Sequence, residues 1–230
     1  MKTIGLIGGM SWESTLSYYS LLNEGVKAAL GGLHSAKIVL VSVDFAEVEA
    51  QQREGDWQGA AALLARAAQS VEAAGADFVL ICTNTMHKVA EEVRQAIEIP
   101  LLHIADATGQ ALVRDGIRKV GLLGTRFTMQ EAFYRTRLAD QFGLEVCVPA
   151  ESCQQRVHDV IYQELCLGKV TDSARQDYIR IIKALQESGA EAVILGCTEI
   201  ALLIGDADVD IPLYDTTAIH VQSALNTSLA

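Results

Sequence analysis

The sequence predicts an α/β protein with two similar, pseudo-symmetric domains, each holding a mostly parallel sheet covered by helices on both faces. Three observations lead to this prediction. Short apolar runs alternate with longer amphipathic stretches, half of the residues are hydrophobic, and the chain contains an internal repeat. A chain of 230 residues is long enough for one large domain or two small ones.

The strands are predicted from eight short apolar runs bounded by turn residues. These runs lie at residues 4–7, 38–43, 78–81, 101–104, 120–123, 145–148, 192–195 and 212–214. Between them, a helix is expected to begin after each of three capping side chains and to end near a glycine. The three pairs of capping residue and glycine are Ser11 with Gly31, Asp56 with Gly75, and Thr171 with Gly189.

The repeat consists of three matched segments in the same order. The matched pairs are 4–8 with 120–124, 75–81 with 189–195, and 99–101 with 211–213, at offsets of 116, 114 and 112. Duplication predicts a first domain at 1–114 and a second at 115–214, with a final helix at about 215–230 packing back on the first. The alternative to duplication is that such short strand sequences are common to all doubly wound proteins.

Composition excludes several classes of function. The net charge of −11 argues against nucleic acid or an anionic membrane as partner. No run approaches the roughly 18 apolar residues of a membrane helix, and the first residues lack the pattern of a signal peptide. The five scattered cysteines form no CxxC pair, which argues against a disulfide framework or structural zinc and favours a cytoplasmic protein.

Polar turns follow two strands that correspond in the repeat, where ligands of α/β sheets bind. The first turn spans residues 82–87 and the second spans 196–199. Cys197 is expected at the start of a helix, where the pKa of a thiol is lowered, and is therefore a candidate thiolate base. Two facing copies of one turn suit racemisation, because a proton leaves one face of the α-carbon and another arrives on the opposite face.

Three segments together resemble the aspartate/glutamate racemase family. They are Ile-Gly-Leu-Ile-Gly-Gly-Met at 4–10, Asn84-Thr85 followed by His87, and Gly-Cys-Thr-Glu at 196–199. The resemblance covers essentially the whole chain. It implies an active site in the cleft between two α/β domains, a two-base thiol mechanism without pyridoxal phosphate, a small-molecule amino-acid substrate and, often, a homodimer.

One departure from the family concerns the first catalytic position. The family has a cysteine directly before Asn-Thr, whereas this chain has Thr83 there and Cys82 one residue earlier. The repeat agrees, because an offset of 114 pairs Cys197 with Thr83. A one-residue gap would instead make Cys82 the second base. Because threonine is a much weaker base than a thiolate, we expect faster processing of the L-enantiomer by Cys197.

The remaining site residues are assigned to substrate binding. Asn84, Thr85 and Thr198 are expected to stabilise the carbanionic transition state through the substrate carboxylate. Met10, Ser11 and Thr125 are expected to close the cleft. Glu199 is either a partner of the substrate ammonium or a solvated carboxylate at a helix start, and His87 either orients Thr85, adds positive potential, or is structural.

Substrate specificity is the second departure. The resemblance places Val48 and Cys166 where acidic-substrate racemases carry basic residues. Gln52, Arg53 or Lys169 could substitute for these from one turn away. Aspartate and glutamate are the expected substrates, with a broad racemase of neutral polar amino acids such as homoserine as the alternative.

Three further functions stay open: a hydantoin racemase, a maleate isomerase, and a non-catalytic amino-acid binding protein. Two cofactor classes are disfavoured. The Gly8-Gly9 turn lacks the GxGxxG spacing of a dinucleotide loop, and the five histidines lack metal-ligand spacing. We therefore expect no cofactor and no metal.

Overall fold

The computed structural model describes residues Met1–Ala230. The chain divides into two compact units, and the first of them is discontinuous. Unit 1 comprises Met1–Ile104 and Thr217–Ala230, and unit 2 comprises Ala105–Thr216. The sequence placed the first boundary after residue 114, whereas the structure assigns nearly all of the helix before that point to unit 2.

Unit 1 holds a parallel three-stranded sheet. Its elements are β1 (Ile4–Gly8), α1 (Trp12–Leu30), β2 (Ile38–Ser42), α2 (Phe45–Glu54), α3 (Trp57–Ala73), β3 (Phe78–Ile81), α4 (Ala90–Gln95) and α10 (Thr216–Leu229). The strand order is β2-β1-β3, so β1 lies in the middle. Ile7 of β1 pairs with Val41 of β2 and with Ile81 of β3.

The two faces of this sheet pack against different helices. Ile7 and Ile81 pack against α3 and α4, whereas Leu6 and Leu80 pack against α1 and α10. This follows from the alternation of side chains along a strand. Cys82 continues the series of Leu80 and lies in the α1/α10 layer with no exposed surface.

The final helix belongs to unit 1 through side-chain and backbone contacts. The Tyr18 hydroxyl of α1 lies 2.9 Å from Nδ1 of His220. The N–H of Lys2 donates to the carbonyl of Ser228 at 2.9 Å, and the Ser228 hydroxyl donates back to the Lys2 carbonyl at 2.8 Å. The last helix therefore fixes the residues that lead into β1.

Unit 2 holds a parallel four-stranded sheet. Its elements are α5 (Ile104–Arg114), β4 (Lys119–Gly124), α6 (Arg126–Gln130), α7 (Ala132–Phe142), β5 (Glu145–Cys147), α8 (Glu151–Gln163), α9 (Asp172–Glu187), β6 (Ala192–Gly196) and β7 (Leu213–Asp215). The strand order is β5-β4-β6-β7. Leu123 of β4 pairs with Leu195 of β6, as Ile7 pairs with Ile81 in unit 1.

The two sheets confirm the predicted fold class, and they share a winding order. In each unit the first strand lies between the second and the third. Unit 2 then adds β7 beside β6, whereas unit 1 has only a single parallel bridge between Val79 and Leu101 at the same place. The predicted strand at 101–104 is therefore wrong, because α5 already begins at Ile104.

The three predicted helix starts are confirmed by their capping hydrogen bonds. The side chains of Ser11, Asp56 and Thr171 accept from backbone N–H groups three residues later, at 3.3, 2.8 and 3.2 Å. No helix combines the length and the apolar character needed to cross a membrane.

The hydrogen bond from the Gly59 N–H to the Asp56 side chain provides a test of the start of α3, the helix that packs against the sheet of unit 1. Asp56→Ala removes the acceptor of the Gly59 N–H and should lower the free energy of unfolding by about 1 kcal/mol. Asp56→Asn keeps an acceptor and should retain most of the stability. Urea denaturation followed by circular dichroism measures both variants. Equal losses in the two variants would contradict the assigned role.

Candidate active site

The turn after β1 is held rigid by its backbone. Gly9 has φ of +92°, and a Cβ there would lie 2.2 Å from the carbonyl oxygen of Val43. Its N–H donates to the hydroxyl of Thr15 at 2.8 Å. Met10 and Ser11 follow and are buried, with Ser11 capping α1. The turn therefore presents backbone groups at the carboxyl edge of the sheet.

The turn after β3 ends at the same edge, because the two strands are parallel neighbours. Thr83 is half-buried and follows the fully buried Cys82. Burial raises the pKa of the Cys82 thiol, because the thiolate loses its hydration. Asn84 and Thr85 are buried, and Thr85 opens a 3₁₀ helix at Thr85–Val89 that leads into α4.

His87 ties this turn to the end of unit 1. Its Nδ1 lies 2.8 Å from the Thr83 carbonyl, which can only accept, so Nδ1 carries a proton. Its Nε2 accepts the N–H of Ile104 at 3.2 Å and is therefore unprotonated. These two bonds define a neutral imidazole with a structural role. The expectation that His87 adds positive potential is thus wrong for this state.

Gln52 lies next to the same turn, but the neighbouring basic residue does not. The Gln52 amide nitrogen lies 3.0 Å from the Met86 sulfur, and the side chain is buried. Val48 is fully buried in the apolar core. Arg53 is exposed and pairs with Glu49 at 3.2 Å on the same helix. Of the predicted substitutes in unit 1, only Gln52 is therefore positioned near the turn.

The turn after β4 in unit 2 repeats the capping arrangement of unit 1. The Thr125 hydroxyl accepts the N–H of Thr128 at 3.3 Å and lies 3.2 Å from its hydroxyl. Ser11 and Ser14 make the same pair of contacts at 3.3 and 3.4 Å. Both pairs are separated by 114 residues, as 125 − 11 and 128 − 14 show. The sequence carries the same signal as two Ser/Thr-x-x-Ser/Thr segments, and the second residues of these segments, Ser14 and Thr128, are absent from the predicted site.

The turn after β6 brings Cys197 to the carboxyl edge of the second sheet. A Cβ on Gly196 would lie 2.7 Å from the Leu123 carbonyl oxygen, so only glycine fits there. Cys197 and Thr198 are half-buried. The chain continues as a three-residue 3₁₀ helix at Ile200–Leu202 and not as an α-helix. The expected helix start after Cys197 is therefore wrong.

Glu199 contacts the two residues before it. Its Oε2 lies 3.0 Å from the Cys197 sulfur and 2.8 Å from the Thr198 hydroxyl, both of which can donate to it. The side chain is 4% exposed, so the alternative of a solvated carboxylate is wrong. Burial of the thiol and the negative charge of Glu199 raise the pKa of Cys197. The expectation of a lowered pKa is thus wrong, because desolvation and a nearby carboxylate both disfavour the thiolate.

The two other candidates in unit 2 differ in their surroundings. Lys169 is exposed in the loop before α9, and none of the contacts described at the β6 turn involves its side chain. Cys166, three residues earlier, is half-buried and close enough to Cys197 to raise its pKa electrostatically. At the position where acidic-substrate racemases carry a basic residue, this chain therefore has a second thiol, Cys166, near that of Cys197.

These features define a class of protein: an α/β chain of two similarly wound units, each with a polar turn after its third strand. The chain belongs to the Asp/Glu/hydantoin racemase family, whose model matches residues 7–224. It is accordingly an isomerase of the racemase class.

Solved structures and a curated relative are similar to the chain. A candidate Asp/Glu racemase from Yersinia pestis is 53% identical, with a TM-score of 0.94 and 100% of both chains covered. An aspartate racemase homologue from Pyrococcus horikoshii is 34% identical, with a TM-score of 0.87 and the same coverage. The broad-specificity amino-acid racemase RacX from Bacillus subtilis is 28% identical over 71% of this chain and 70% of its own length.

The bridging histidine generates a prediction for the geometry of the first turn. His87→Ala leaves the Thr83 carbonyl and the Ile104 N–H without this partner, which should lower the free energy of unfolding by about 3 kcal/mol. His34→Ala, at an exposed position, is the matched control and should change it by less than about 0.5 kcal/mol. Guanidinium denaturation measures both, and similar values would show that the bridge is dispensable.

Proposed function

We propose that this chain interconverts the L- and D-forms of aspartate and glutamate without a cofactor, using Cys197 and Thr83. One observation carries the proposal. Both side chains are half-buried in the turns that follow corresponding strands, while the residues before them, Cys82 and Gly196, are buried. The burial pattern thus supports the register that pairs Cys197 with Thr83, and it disfavours Cys82 as the second base.

The proposed reaction begins from the L-enantiomer. The Cys197 thiolate takes the α-proton, and the carbanion is stabilised through its carboxylate by donors of the turns. Asn84, Thr85 and Thr198 are the side chains proposed for this role, with Glu199 facing the substrate ammonium. The Thr83 hydroxyl then relays a proton through water to the opposite face.

The two directions differ because the two groups differ as bases. A threonine hydroxyl is a far weaker base than a thiolate, so removal of the α-proton from the D-enantiomer is slow. The equilibrium constant between free enantiomers is one. The ratio kcat/KM must therefore be equal in both directions, whereas kcat and KM can each differ by the same factor. We expect the larger kcat from the L-enantiomer.

A second candidate is a broad racemase of neutral polar amino acids such as homoserine. It is favoured by three observations on the proposed basic positions. Val48 lies in the core, Cys166 lies beside Cys197, and Lys169 is exposed. The similarity to RacX points in the same direction. Gln52, which is neutral, is then the side chain that would contact a polar substrate group.

We also propose that the protein is a cytoplasmic homodimer. Trp12, Leu16 and Tyr19 on α1 are 65%, 55% and 50% exposed. Their spacing places them on one side of the helix, next to the turn that contains Met10. Three large apolar side chains in one stripe form a surface of the kind that association between copies buries.

Exchange of the α-proton with solvent tests the reaction directly. The protein is incubated in D₂O, without added cofactor, with each enantiomer of aspartate, glutamate and homoserine, and proton NMR follows the α-hydrogen. We expect exchange from L-aspartate or L-glutamate that Cys197→Ser abolishes. The fastest substrate separates acidic from broad specificity. If none of these amino acids exchanges its α-proton, the proposal is wrong. A hydantoin racemase, a maleate isomerase or a non-catalytic amino-acid binding protein then becomes the next hypothesis.

Two variants of the opposing group extend this experiment. Thr83→Ala should lower formation of the D-enantiomer by about 10²-fold or more, because it removes the group that relays the proton. Exchange within the L-enantiomer should persist, since Cys197 can return a solvent deuteron to the same face. Thr83→Ser keeps the hydroxyl and is the matched control. Full racemase activity in Thr83→Ala would show that a residue other than Thr83 relays the proton.

The oligomeric state is tested by light scattering after size-exclusion chromatography. The native chain should have twice the mass of one protomer. Leu16→Glu places a charge in the middle of the stripe and should shift the mass toward the protomer. Val113→Glu, at another exposed apolar position, is the control and should leave the dimer intact. A monomeric native chain would contradict the proposed dimer.

A further inference from the structure

Three of the histidines lie together in unit 1, next to the turn that carries Thr83. His87 and His220 are buried, with their ring centroids 5.9 Å apart, and the ring of His103 lies 4.5 Å from that of His87. His87 belongs to the 3₁₀ helix after β3, His220 to α10, and His103 to the segment with which the first part of unit 1 ends. The reaction proposed above assigns no role to any of them.

His220 holds one end of the segment 102–104. Its Nε2 lies 2.9 Å from the Leu102 carbonyl, which can only accept, so Nε2 carries a proton. In the neutral ring, Nδ1 then accepts from the Tyr18 hydroxyl, which lies 2.9 Å away. Tyr18 is fully buried in the layer between α1 and α10. The Leu102 carbonyl is thus fixed from the side of the last helix.

His87 holds the other end of the same segment. The Ile104 N–H donates to Nε2 at 3.2 Å, so the ring proton is on Nδ1, which donates to the Thr83 carbonyl at 2.8 Å. His87 and His220 therefore have opposite tautomers, because one of them faces an N–H of the segment and the other faces a carbonyl. The Ile104 N–H selects the tautomer of His87 that can bind Thr83.

The bond to the Thr83 carbonyl also orients the N–H of the next residue. The peptide unit that joins Thr83 and Asn84 is planar and trans, so its C=O and N–H point in opposite directions. His87 is 3% exposed, so the carbonyl points into unit 1 and the Asn84 N–H points away from the imidazole. Thr83 and Asn84 are the residues proposed above for proton relay and for binding of the substrate carboxylate.

We propose that His87 is a positioning residue that sets the peptide unit between Thr83 and Asn84 for racemisation. This rests on the proposed racemase function. The hydrogen bonds of the His87 ring described above go to backbone groups, so it acts through this peptide unit, which places the Thr83 hydroxyl and the Asn84 N–H together. His220 and Tyr18 support it by fixing the segment that supplies the Ile104 N–H.

Two amide substitutions separate the two hydrogen bonds of the His87 ring. In His87→Asn, the amide nitrogen can take the place of Nδ1 and donate to Thr83, but no acceptor is left for Ile104. In His87→Gln, the amide oxygen can take the place of Nε2 and accept from Ile104, but no donor is left for Thr83. Each variant thus keeps one bond and loses the other. A merely structural role of His87 predicts that both variants affect activity equally.

Chiral chromatography measures the formation of D-aspartate from L-aspartate and of D-homoserine from L-homoserine, and circular dichroism shows whether each variant is folded. We expect kcat to fall by about 10²-fold in His87→Gln, because a small displacement of the reacting groups has an effect of this size. In His87→Asn, kcat should stay within about threefold of the native value, since the bond to Thr83 is kept.

His34→Asn, at an exposed position, is the matched control and should leave kcat unchanged. Equal kcat values in the folded His87→Asn and His87→Gln proteins, or a larger loss in His87→Asn, would overturn the proposal.

A measurement on the native protein covers the case in which these variants do not fold. With isotope-labelled histidine, NMR correlations between ring nitrogens and ring protons identify the protonated nitrogen of each imidazole. The signals of His87 and His220 are assigned through the proximity of their rings. We expect the proton on Nδ1 of His87 and on Nε2 of His220. A proton on Nε2 of His87 would overturn the proposal, because the bond from Ile104 that selects the tautomer could not then exist.

Failure of the proposed function gives a different result. If the native chain exchanges no α-proton, but His87 carries its proton on Nδ1, the hydrogen-bonded arrangement is supported and the racemase proposal falls. If the native chain and His87→Gln form the D-enantiomer at the same rate, the racemase proposal stands and the role of His87 falls.

Discussion

The pairing of the first strand with the third in each sheet decides where every candidate group lies. β1 with β3 and β4 with β6 are parallel neighbours, so their carboxyl ends meet at one edge within each unit. This edge carries the capping Ser11 and Thr83 in unit 1, and Thr125 and Cys197 in unit 2. The pairing of β4 with β6 demands glycine at 196, where the backbone meets a neighbouring carbonyl. Without that close approach, the chain could not place the thiol directly beyond the sheet.

Most of the fold follows from signals that lie close together in the sequence. Seven of the eight apolar runs form strands, and the three helix starts with a capping side chain are all formed. The run at 101–104 fails because its apolar residues also suit the start of α5, and periodicity cannot separate a buried strand from a buried helix in four residues. Composition alone does not show which unit α5 packs with, because contacts assign α5 to unit 2.

The candidate site was predictable in its positions but not in its electrostatics. Turn residues and the repeat offset locate Thr83 and Cys197, because spacing survives duplication. The sequence cannot show that Glu199 folds back to within 3.0 Å of the Cys197 sulfur, nor that burial raises the pKa of that thiol. Both depend on how the short segment after β6 turns. The role of His87 was hidden for the same reason, since its partner at Ile104 is seventeen residues away.

The hydrogen bonds between Lys2 and Ser228 join the first residues of unit 1 to its last helix, so unit 1 can be completed only after that helix has been synthesised. On the ribosome, all of unit 2 is synthesised before the last helix emerges, whereas unit 1 waits for that helix to cover one face of its sheet. Tyr18 and Leu22 of α1 stay partly uncovered until Leu225 and its neighbours arrive. The nascent chain therefore carries an open apolar layer on one face of the unit 1 sheet throughout the synthesis of unit 2. Premature termination within the last helix would destabilise unit 1 and leave the fold of unit 2 unchanged.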